Sequence, residues 1–200
     1  MIDPHVTDEA LMIRFQQGDR AAFAALVRKH KGPLFNFALR QLRMRQTAED
    51  VVQEAFVRVV QNAADFKHEA RFSTWLYTIA RNLCIDHLRK GALRKHPSLD
   101  ARSSQDEGPT LGEQTADTRA NVEREATSDE LRQRIAGAVE TLPDDQREVF
   151  LMREVANLPF KEIADITGVP ENTVKSRMRY ALERLQAALS EYEEYARALK

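Results

Sequence analysis

Hydrophobic residues along this chain recur at intervals of three and four positions, and no segment alternates polar and apolar residues as a strand would. Near the N-terminus, for example, Ala22, Phe23, Leu26 and Val27 fall on one side of a helical wheel. This period is that of an amphipathic helix packed against a core. The pattern predicts an all-α fold.

Four such segments occupy the N-terminal half, and each follows a side chain that can cap the first turn of a helix. These capping residues are Thr7, Asp19, Thr47 and Ser73. Asp50 stands three residues after Thr47, at the capping-box position. Gly18 is expected to end the first helix, and Gly32-Pro33 to break or kink the second. Residues 62–72 are expected to form a loop.

The C-terminal half is organised in the same way. Ser128 is the expected cap of a helix over 129–141, and Pro143 opens a helix over 144–155. A short helix from Phe160 then leads into a tight turn at Gly168, after which Pro170 starts a long helix. Its expected buried stripe consists of Val174, Met178, Ala181, Leu182 and Leu185.

Residues 95–128 interrupt this pattern. They are rich in Ser, Thr, Asp, Gly and Pro and contain almost no large apolar side chains. Such a composition cannot bury enough apolar surface to fold, and it predicts a flexible linker. The chain therefore divides into a helical domain over 1–94, a linker over 95–128 and a second helical domain over 129–200.

Composition excludes several classes of protein. Seven glycines and seven prolines in 200 residues disfavour a turn-rich β-sandwich or barrel. The single cysteine excludes an intramolecular disulfide, and Cys84 with His87 is too small a set for a metal site. Phosphate-binding and catalytic motifs are missing, so we expect neither a cofactor nor an enzyme. The chain lacks a membrane-spanning apolar run and a signal-peptide core, which favours a cytoplasmic location without membrane insertion.

Charge is unevenly distributed although the net charge is only −1. Lys and Arg exceed Asp and Glu over residues 1–92, whereas the acidic residues are in excess over 129–200. Between Arg71 and Lys95 the only acidic residue is Asp86. A near-neutral protein with such basic stripes can bind nucleic acid, but it binds weakly unless it is also tethered.

Residues 160–189 have the organisation of a helix-turn-helix: a short helix, a glycine turn, and a helix with a polar N-terminal end. The polar face of the second helix carries Glu171, Asn172, Thr173, Lys175, Ser176, Arg177 and Arg179. Side chains of these types can reach base edges and phosphates in a major groove. An amphipathic helical hairpin with a solvated face is the alternative, but the turn and the polar front together favour DNA binding.

Residues 47–62 predict a helix with two different faces. The apolar face carries Val52, Ala55, Phe56, Val59 and Val60. On the other face Asp50, Gln53 and Glu54 follow i, i+3, i+4 spacing and form one acidic patch. Taken alone, this patch is better explained as an ordinary solvated helix face. If the patch has a function, its charge suits a protein partner rather than DNA.

Residues 65–90 interleave aromatic and basic side chains. The aromatic residues are Phe66, Phe72, Trp75 and Tyr77, and the basic ones include Lys67, Arg71, Arg81, Arg89 and Lys90. Unpaired bases stack on aromatic rings while cations follow the phosphates, so this block suits single-stranded DNA. The alternative is that the rings belong to the core and the cations to a solvated face.

The three motifs, in this order and across a linker, resemble the extracytoplasmic-function (ECF) sigma factors, the small two-domain group of the sigma-70 family. Residues 48–61 are similar to the family's region 2.2. Residues 72–90, with Trp75-Leu76 and Arg81-Asn82, are similar to regions 2.3 and 2.4, and residues 142–185 to regions 4.1 and 4.2. The resemblance covers nearly the whole chain.

This resemblance implies a factor that binds core RNA polymerase and directs promoter-specific transcription initiation. Its implied partners are the β and β′ subunits of the polymerase, promoter DNA and an anti-sigma factor. Contacts with core polymerase are implied for Asp50, Gln53 and Glu54. Recognition and melting of the −10 element are implied for Arg71, Phe72, Trp75, Arg81, Asn82, Arg89 and Lys90. Recognition of the −35 element is implied for Glu171, Asn172, Thr173, Lys175, Ser176, Arg177 and Arg179.

Two other functions compete with this interpretation. A free-standing helix-turn-helix regulator would dimerise and bind a palindrome without polymerase. A helical adaptor with a vestigial helix-turn-helix would contact no DNA in any assembly. The aromatic and basic block at residues 66–90 disfavours both, because neither protein needs a strand-melting surface.

Overall fold

The structure, a computed structural model, describes residues 6–67, 71–94 and 133–198. All regular secondary structure in these ranges is helical, as predicted. The N-terminal unit comprises α1 (Asp8–Gln16), α2 (Arg20–Leu42), α3 (Arg45–Gln61), a 3₁₀ turn (Ala63–Asp65) and α4 (Phe72–Arg94). The C-terminal unit comprises α5 (helical residues 133–141), α6 (Asp144–Glu154), α7 (Phe160–Thr167) and α8 (Glu171–Ala198). The predicted linker, 95–128, and the predicted cap Ser128 lie outside the described residues.

Several helix ends follow the local capping rules. The hydroxyl of Thr7 accepts a hydrogen bond from the amide of Ala10 at 3.2 Å. A carboxylate oxygen of Asp19 accepts from the amides two and three residues further on, at 2.9 and 3.2 Å. Pro143 precedes α6 at its N-cap position. Each of these contacts satisfies or avoids a donor that a helix start leaves unpaired.

Gly32-Pro33 does not break the second helix, so a break at this position is the wrong one of the two expectations. Helix α2 runs without interruption from Arg20 to Leu42 with Pro33 inside it. Leu26, Leu34 and Phe37 are all fully buried on one side of this helix, before and after the proline. Continuous packing of that side compensates for the hydrogen bond that proline removes.

The start of α3 also differs from the prediction. The helix begins at Arg45, so Thr47 is not its cap and Asp50 is not at a capping-box position. Met44 holds the N-cap position, where its thioether is a poor hydrogen-bond acceptor. An ion pair of 3.0 Å between Arg45 and Glu49, one turn apart, supports the first turn instead.

Helix α4 begins at Phe72, and the expected cap at Ser73 is therefore wrong. The amide of Phe72 donates to a carboxylate oxygen of Glu9, on α1, at 3.1 Å. A residue 63 positions away in the sequence therefore accepts the hydrogen bond at the start of α4, where Ser73 was expected to be the cap. Two further side chains expected in the core are exposed: Val60 at 45% and Leu182 at 49%.

The core of the N-terminal unit lies between α2, α3 and α4. The rings of Phe37 and Tyr77 meet edge to face at its centre, with centroids 5.4 Å apart. The Tyr77 hydroxyl has no hydrogen-bond partner among the described residues, and burial raises its pKa. In the C-terminal unit Val149, Ile163 and Val174 are fully buried and bring α6, α7 and α8 together.

The two units also pack against each other. Helix α7 lies along α4, and α6 lies against α2. Among the described helices, none is long and apolar enough to cross a membrane.

Asp8, on α1, contacts two side chains of α2. Its carboxylate lies 2.7 Å from the Lys29 ammonium and 2.8 Å from Nε2 of the buried His30. Burial raises the pKa of Asp8, but hydrogen bonds and charge from His30 and Lys29 outweigh burial, so its pKa lies below the ordinary 3.8. Because the folded pKa is depressed, the carboxylate stabilises the fold at neutral pH, and this contribution is lost as the pH falls through the folded pKa.

We predict that Asp8→Asn lowers the free energy of unfolding by about 1–3 kcal/mol at pH 7, because it weakens a partly buried charged hydrogen-bond pair. The difference from the unmodified chain should shrink below about pH 4. Urea unfolding followed by fluorescence of Trp75, the sole tryptophan, reports on this unit. Asp65→Asn, at an exposed position, is the matched control, and equal stability of the two variants would contradict the role of Asp8.

Candidate nucleic-acid and polymerase interfaces

The C-terminal unit contains the predicted helix-turn-helix. Gly168 ends α7 in the left-handed conformation, with φ of 71°, and its amide donates to Ala164 O at 2.9 Å. A residue without Cβ adopts this conformation at low cost. The carbonyl oxygen of Pro170 then accepts hydrogen bonds from the amides of Thr173 and Val174, at 2.8 and 3.1 Å. This turn joins α7 to α8, and the two helices pack against each other.

Most polar residues at the start of α8 are exposed: Asn172, Lys175, Ser176 and Arg179. They lie on the side opposite the buried Val174 and Met178. Lys175 pairs with Glu171 at 2.7 Å, one turn away. The Arg179 guanidinium lies 4.7 Å from the Tyr180 ring centroid. This surface offers hydrogen-bond donors, acceptors and positive charge at the end of a helix, as reading a major groove requires.

Arg177 does not lie on that exposed surface. Its side chain turns toward α6, where its Nε lies 3.1 Å from a carboxylate oxygen of Asp145. Thr173 and Glu171 are half-buried beside it. The structure therefore separates Arg177 from Lys175 and Arg179, although all three are within five positions in the sequence.

In the N-terminal unit, α4 carries the aromatic and basic block. Phe72 is fully buried, while Trp75 is half-buried, with its ring centroid 5.2 Å from that of Phe66. Phe66 and Phe72 are buried, so only Trp75 exposes part of its ring to solvent. Asn82, Arg89 and Lys90 are exposed further along the helix.

Two arginines of this block are engaged with the other unit. The Arg81 guanidinium contacts both carboxylate oxygens of Glu148, on α6, at 2.7 and 3.4 Å. Arg71, which precedes α4, lies 3.0 Å from Glu162 on α7. Glu148 and Glu162 were not predicted, because nothing in a local pattern indicates which distant cation a carboxylate meets.

The predicted acidic patch on α3 is exposed at all three positions, Asp50, Gln53 and Glu54. Glu54 forms an ion pair of 2.9 Å with Arg58, one turn further on. Beside the patch an apolar groove of about 910 Å³ runs between α2 and α3. Its apolar lining consists of Phe23, Val27, Phe35, Val52, Phe56, Val57 and Val60.

No motif of the sequence indicated this groove. Val57 and Val60 are 40% and 45% exposed, and they line it together with Gln53 of the acidic patch. The available signal was the width of the apolar face of α3, which exceeds what one buried stripe needs. An exposed apolar groove with a polar rim is typical of a protein interface.

Comparison with known proteins identifies both units. The family model described as Sigma-70 region 2 matches residues 26–94, and that described as Sigma-70, region 4 matches residues 132–185. The ECF RNA polymerase sigma factor SigW of Bacillus subtilis is 36% identical over 87% of this chain and 92% of its own length. The ECF RNA polymerase sigma-E factor of Escherichia coli is 34% identical over 89% of this chain and 92% of its own length. This chain belongs to the ECF sigma factors.

Two solved structures share the fold of this ECF sigma factor. CnrH, solved in complex with the cytosolic domain of CnrY, matches with a TM-score of 0.64 at 23% identity, covering 92% of this chain and 97% of CnrH. RpoE of Bartonella quintana, solved in complex with the anti-sigma factor NepR, also matches with a TM-score of 0.64, covering 84% of this chain and 96% of RpoE. The N-terminal unit is hereafter called region 2 and the C-terminal unit region 4.

Proposed function

We propose that this ECF sigma factor binds core RNA polymerase in the cytoplasm and directs it to promoters with characteristic −10 and −35 elements. The observation that carries the proposal is the presence of two DNA-directed helices in one chain. Helix α8 offers a polar surface suited to duplex DNA, and α4 combines a half-exposed tryptophan with cations suited to an unpaired strand. A single-site regulator needs only the first of these.

Region 4 reads the −35 element through the exposed Asn172, Lys175, Ser176 and Arg179. Behind these residues lie the half-buried Glu171, Thr173 and Arg177. Arg177 can reach DNA only after its ion pair with Asp145 breaks. Region 2 binds the non-template strand at the −10 element through α4 and the residues before it. Trp75 provides stacking surface for a base, and Arg71, Arg81, Asn82, Arg89 and Lys90 provide donors for phosphates and base edges.

Helix α3 is the docking surface for core polymerase in this proposal. The exposed carboxylates of Asp50 and Glu54 provide charge, and the groove beside them provides apolar area. Such a combination gives both specificity and burial in a protein interface. Transcription chemistry then belongs to the polymerase. We further propose control by an anti-sigma factor, in line with the relative RpoE, which was solved with the anti-sigma factor NepR.

Binding to core polymerase is the direct test. We predict that Asp50→Lys with Glu54→Lys weakens binding to bacterial core RNA polymerase by about tenfold or more, since like charges at an interface cost at least 1.4 kcal/mol. Fluorescence anisotropy measures this with a label at the N-terminus. Cys84 is unsuitable for labelling because burial, and then the Glu148 carboxylate, raise its pKa to about 12.

Asp65→Lys with Asp86→Lys is the matched control, because it makes the same charge change at exposed positions of the same unit. Equal affinities of the two double variants would remove Asp50 and Glu54 from the interface. If the unmodified chain does not bind core polymerase at micromolar concentration, the sigma function itself fails.

Promoter opening tests the role of Trp75. We predict that Trp75→Ala reduces opening by the holoenzyme, because the half-buried ring is lost as a stacking surface, while Trp75→Phe retains part of it. Permanganate reactivity of promoter thymines measures opening, and a melting curve measures stability. Since Trp75 is only half-buried, the loss of stability should stay below the roughly 3–5 kcal/mol of a buried tryptophan.

Ile79→Ala is the control for this experiment. Ile79 is also a half-buried apolar residue of α4, so its truncation should lower stability without removing a stacking surface. Normal opening by the Trp75→Ala holoenzyme would refute the role of Trp75.

A further inference from the structure

Two side chains of α1 bind the segment between α3 and α4 at its two ends. The amide of Gln16, the last residue of α1, donates to Ala63 O at 2.7 Å and to Phe66 O at 3.1 Å. Glu9 lies about two turns earlier on the same helix. Its carboxylate accepts a hydrogen bond from the Phe72 amide at 3.1 Å. These hydrogen bonds hold the 3₁₀ turn at one end of the segment and the start of α4 at the other.

The two carbonyl oxygens that Gln16 reaches need a donor from outside the segment. They belong to a 3₁₀ turn of three residues and to the residue after it, so no longer helix is present to supply one. Ala63 O already accepts the Phe66 amide at 3.2 Å, and Gln16 provides its second hydrogen bond. A glutamine amide has two N–H donors, whereas a carboxylate of the same shape has none. The chemistry of this contact therefore depends on the amide.

The segment that α1 holds carries the ring against which Trp75 packs. Phe66 is buried, and its ring centroid lies 5.2 Å from that of Trp75 and 6.2 Å from that of Phe72. The Phe72 ring lies 5.3 Å from the ring of His30 on α2. Phe66 and Phe72 are also the two aromatic residues whose backbone groups bind α1. A shift of either backbone would move the surface that supports Trp75.

Helix α1 is anchored independently of this segment. Leu11 and Met12 are buried in the core, and the Asp8 carboxylate binds two side chains of α2. The contact between α1 and α2 thus sets where the polar side chains of α1 lie. The segment before α4 is positioned by a helix that is already fixed.

We propose that Gln16 and Glu9 are positioning residues for promoter opening, because they hold the segment before α4 and keep the Phe66 ring against Trp75. The proposal rests on the proposed function, in which Trp75 stacks on an unpaired base of the −10 element. Helix α1 precedes residues 26–94, which the region 2 family model matches, so the proposal extends the −10 machinery beyond them. A ring held in place in advance does not have to be ordered when the base binds.

Gln16→Glu tests this role at the donor. It keeps the shape of the side chain, removes both N–H donors and leaves every proposed DNA and polymerase contact unchanged. We expect promoter opening by the holoenzyme to fall about threefold or more, because stacking on one aromatic ring contributes about fivefold or more in affinity and a displaced ring keeps only part of it. Permanganate reactivity of promoter thymines measures opening.

Fluorescence of Trp75, the sole tryptophan, reports on the position of its ring. Acrylamide quenching of the native Gln16→Glu chain should increase, because the ring becomes more accessible when Phe66 is no longer held. A melting curve ensures that quenching is measured on the folded chain, where a general loss of stability leaves it unchanged. Affinity for core polymerase should also stay unchanged, since the proposed docking surface lies on α3.

Gln17→Glu is the matched control. Gln17 is exposed at the next position, and its side chain has no hydrogen-bond partner among the residues that the structure describes. It makes the same change of charge and should leave opening and quenching unchanged. Gln16→Lys restores N–H donors for the two carbonyl oxygens and should recover most of the opening that Gln16→Glu loses. Gln17→Lys controls for the positive charge that this rescue adds.

Glu9 is tested at the acceptor. Glu9→Gln keeps a carbonyl oxygen that can accept from the Phe72 amide, whereas Glu9→Ala removes the acceptor. Glu9→Ala should increase the quenching of Trp75 and lower opening, and Glu9→Gln should stay close to the unmodified chain. Equal effects of the two substitutions would remove Glu9 from the proposal.

The outcomes separate the positioning role from the proposed function. Increased quenching and reduced opening with Gln16→Glu, unchanged affinity for core polymerase and recovery with Gln16→Lys would support the role. Unchanged quenching with Gln16→Glu, opening equal to that of Gln17→Glu, or a loss that Gln16→Lys does not recover would overturn it. Failure of the unmodified chain to open promoters with core polymerase would instead overturn the proposed function.

Discussion

The burial of one side of α4 is the constraint on which the other surfaces depend. Leu76, Tyr77 and Ala80 are each 1% exposed or less, and they fix the rotation of the helix about its axis. Successive side chains of a helix are turned by about 100°, so a helix held on this side must direct Trp75 and Arg81 away from the buried stripe. The fold accepts a buried Tyr77 hydroxyl without a partner among the described residues to keep this packing. The position of the DNA-directed side chains is thus a consequence of the core.

Near-neutral charge is compatible with DNA binding if each DNA-directed region needs only weak affinity of its own. In this structure carboxylates of region 4 pair with the Arg71 and Arg81 guanidinium groups of region 2. In the proposed function polymerase holds both regions at one promoter, and each raises the effective concentration of the other there. A strongly basic chain would bind DNA everywhere without polymerase. If each region alone binds DNA weakly, promoter selection depends on the complex with polymerase.

The features that could be predicted from the sequence are those that depend on contacts between residues close together in the chain. The caps at Thr7 and Asp19, the start of α6 after Pro143 and the left-handed turn at Gly168 all follow from contacts within a few residues. The family resemblance is carried by the same local segments. The fold class and the helix-turn-helix therefore follow from the sequence.

The features that were wrong or missed depend on distant residues. Helix α4 starts at Phe72 because Glu9, on another helix, accepts its amide. Pro33 stays helical because a buried stripe continues past it. Arg177 has the spacing of a DNA contact, yet Asp145 turns it inward. Periodicity gives the side of a helix on which a residue lies, but the partner found there is decided by tertiary packing.

The apolar groove on α3 explains how a near-neutral chain can bind a protein partner tightly enough to use weak DNA contacts. Every residue that lines it belongs to region 2. Val57 and Val60 are exposed there, beside the exposed carboxylates of Asp50 and Glu54. In the proposed function, burial of the apolar residues provides affinity for polymerase and the carboxylates provide specificity. Docking through α3 then compensates for the weak affinity of each DNA-directed helix.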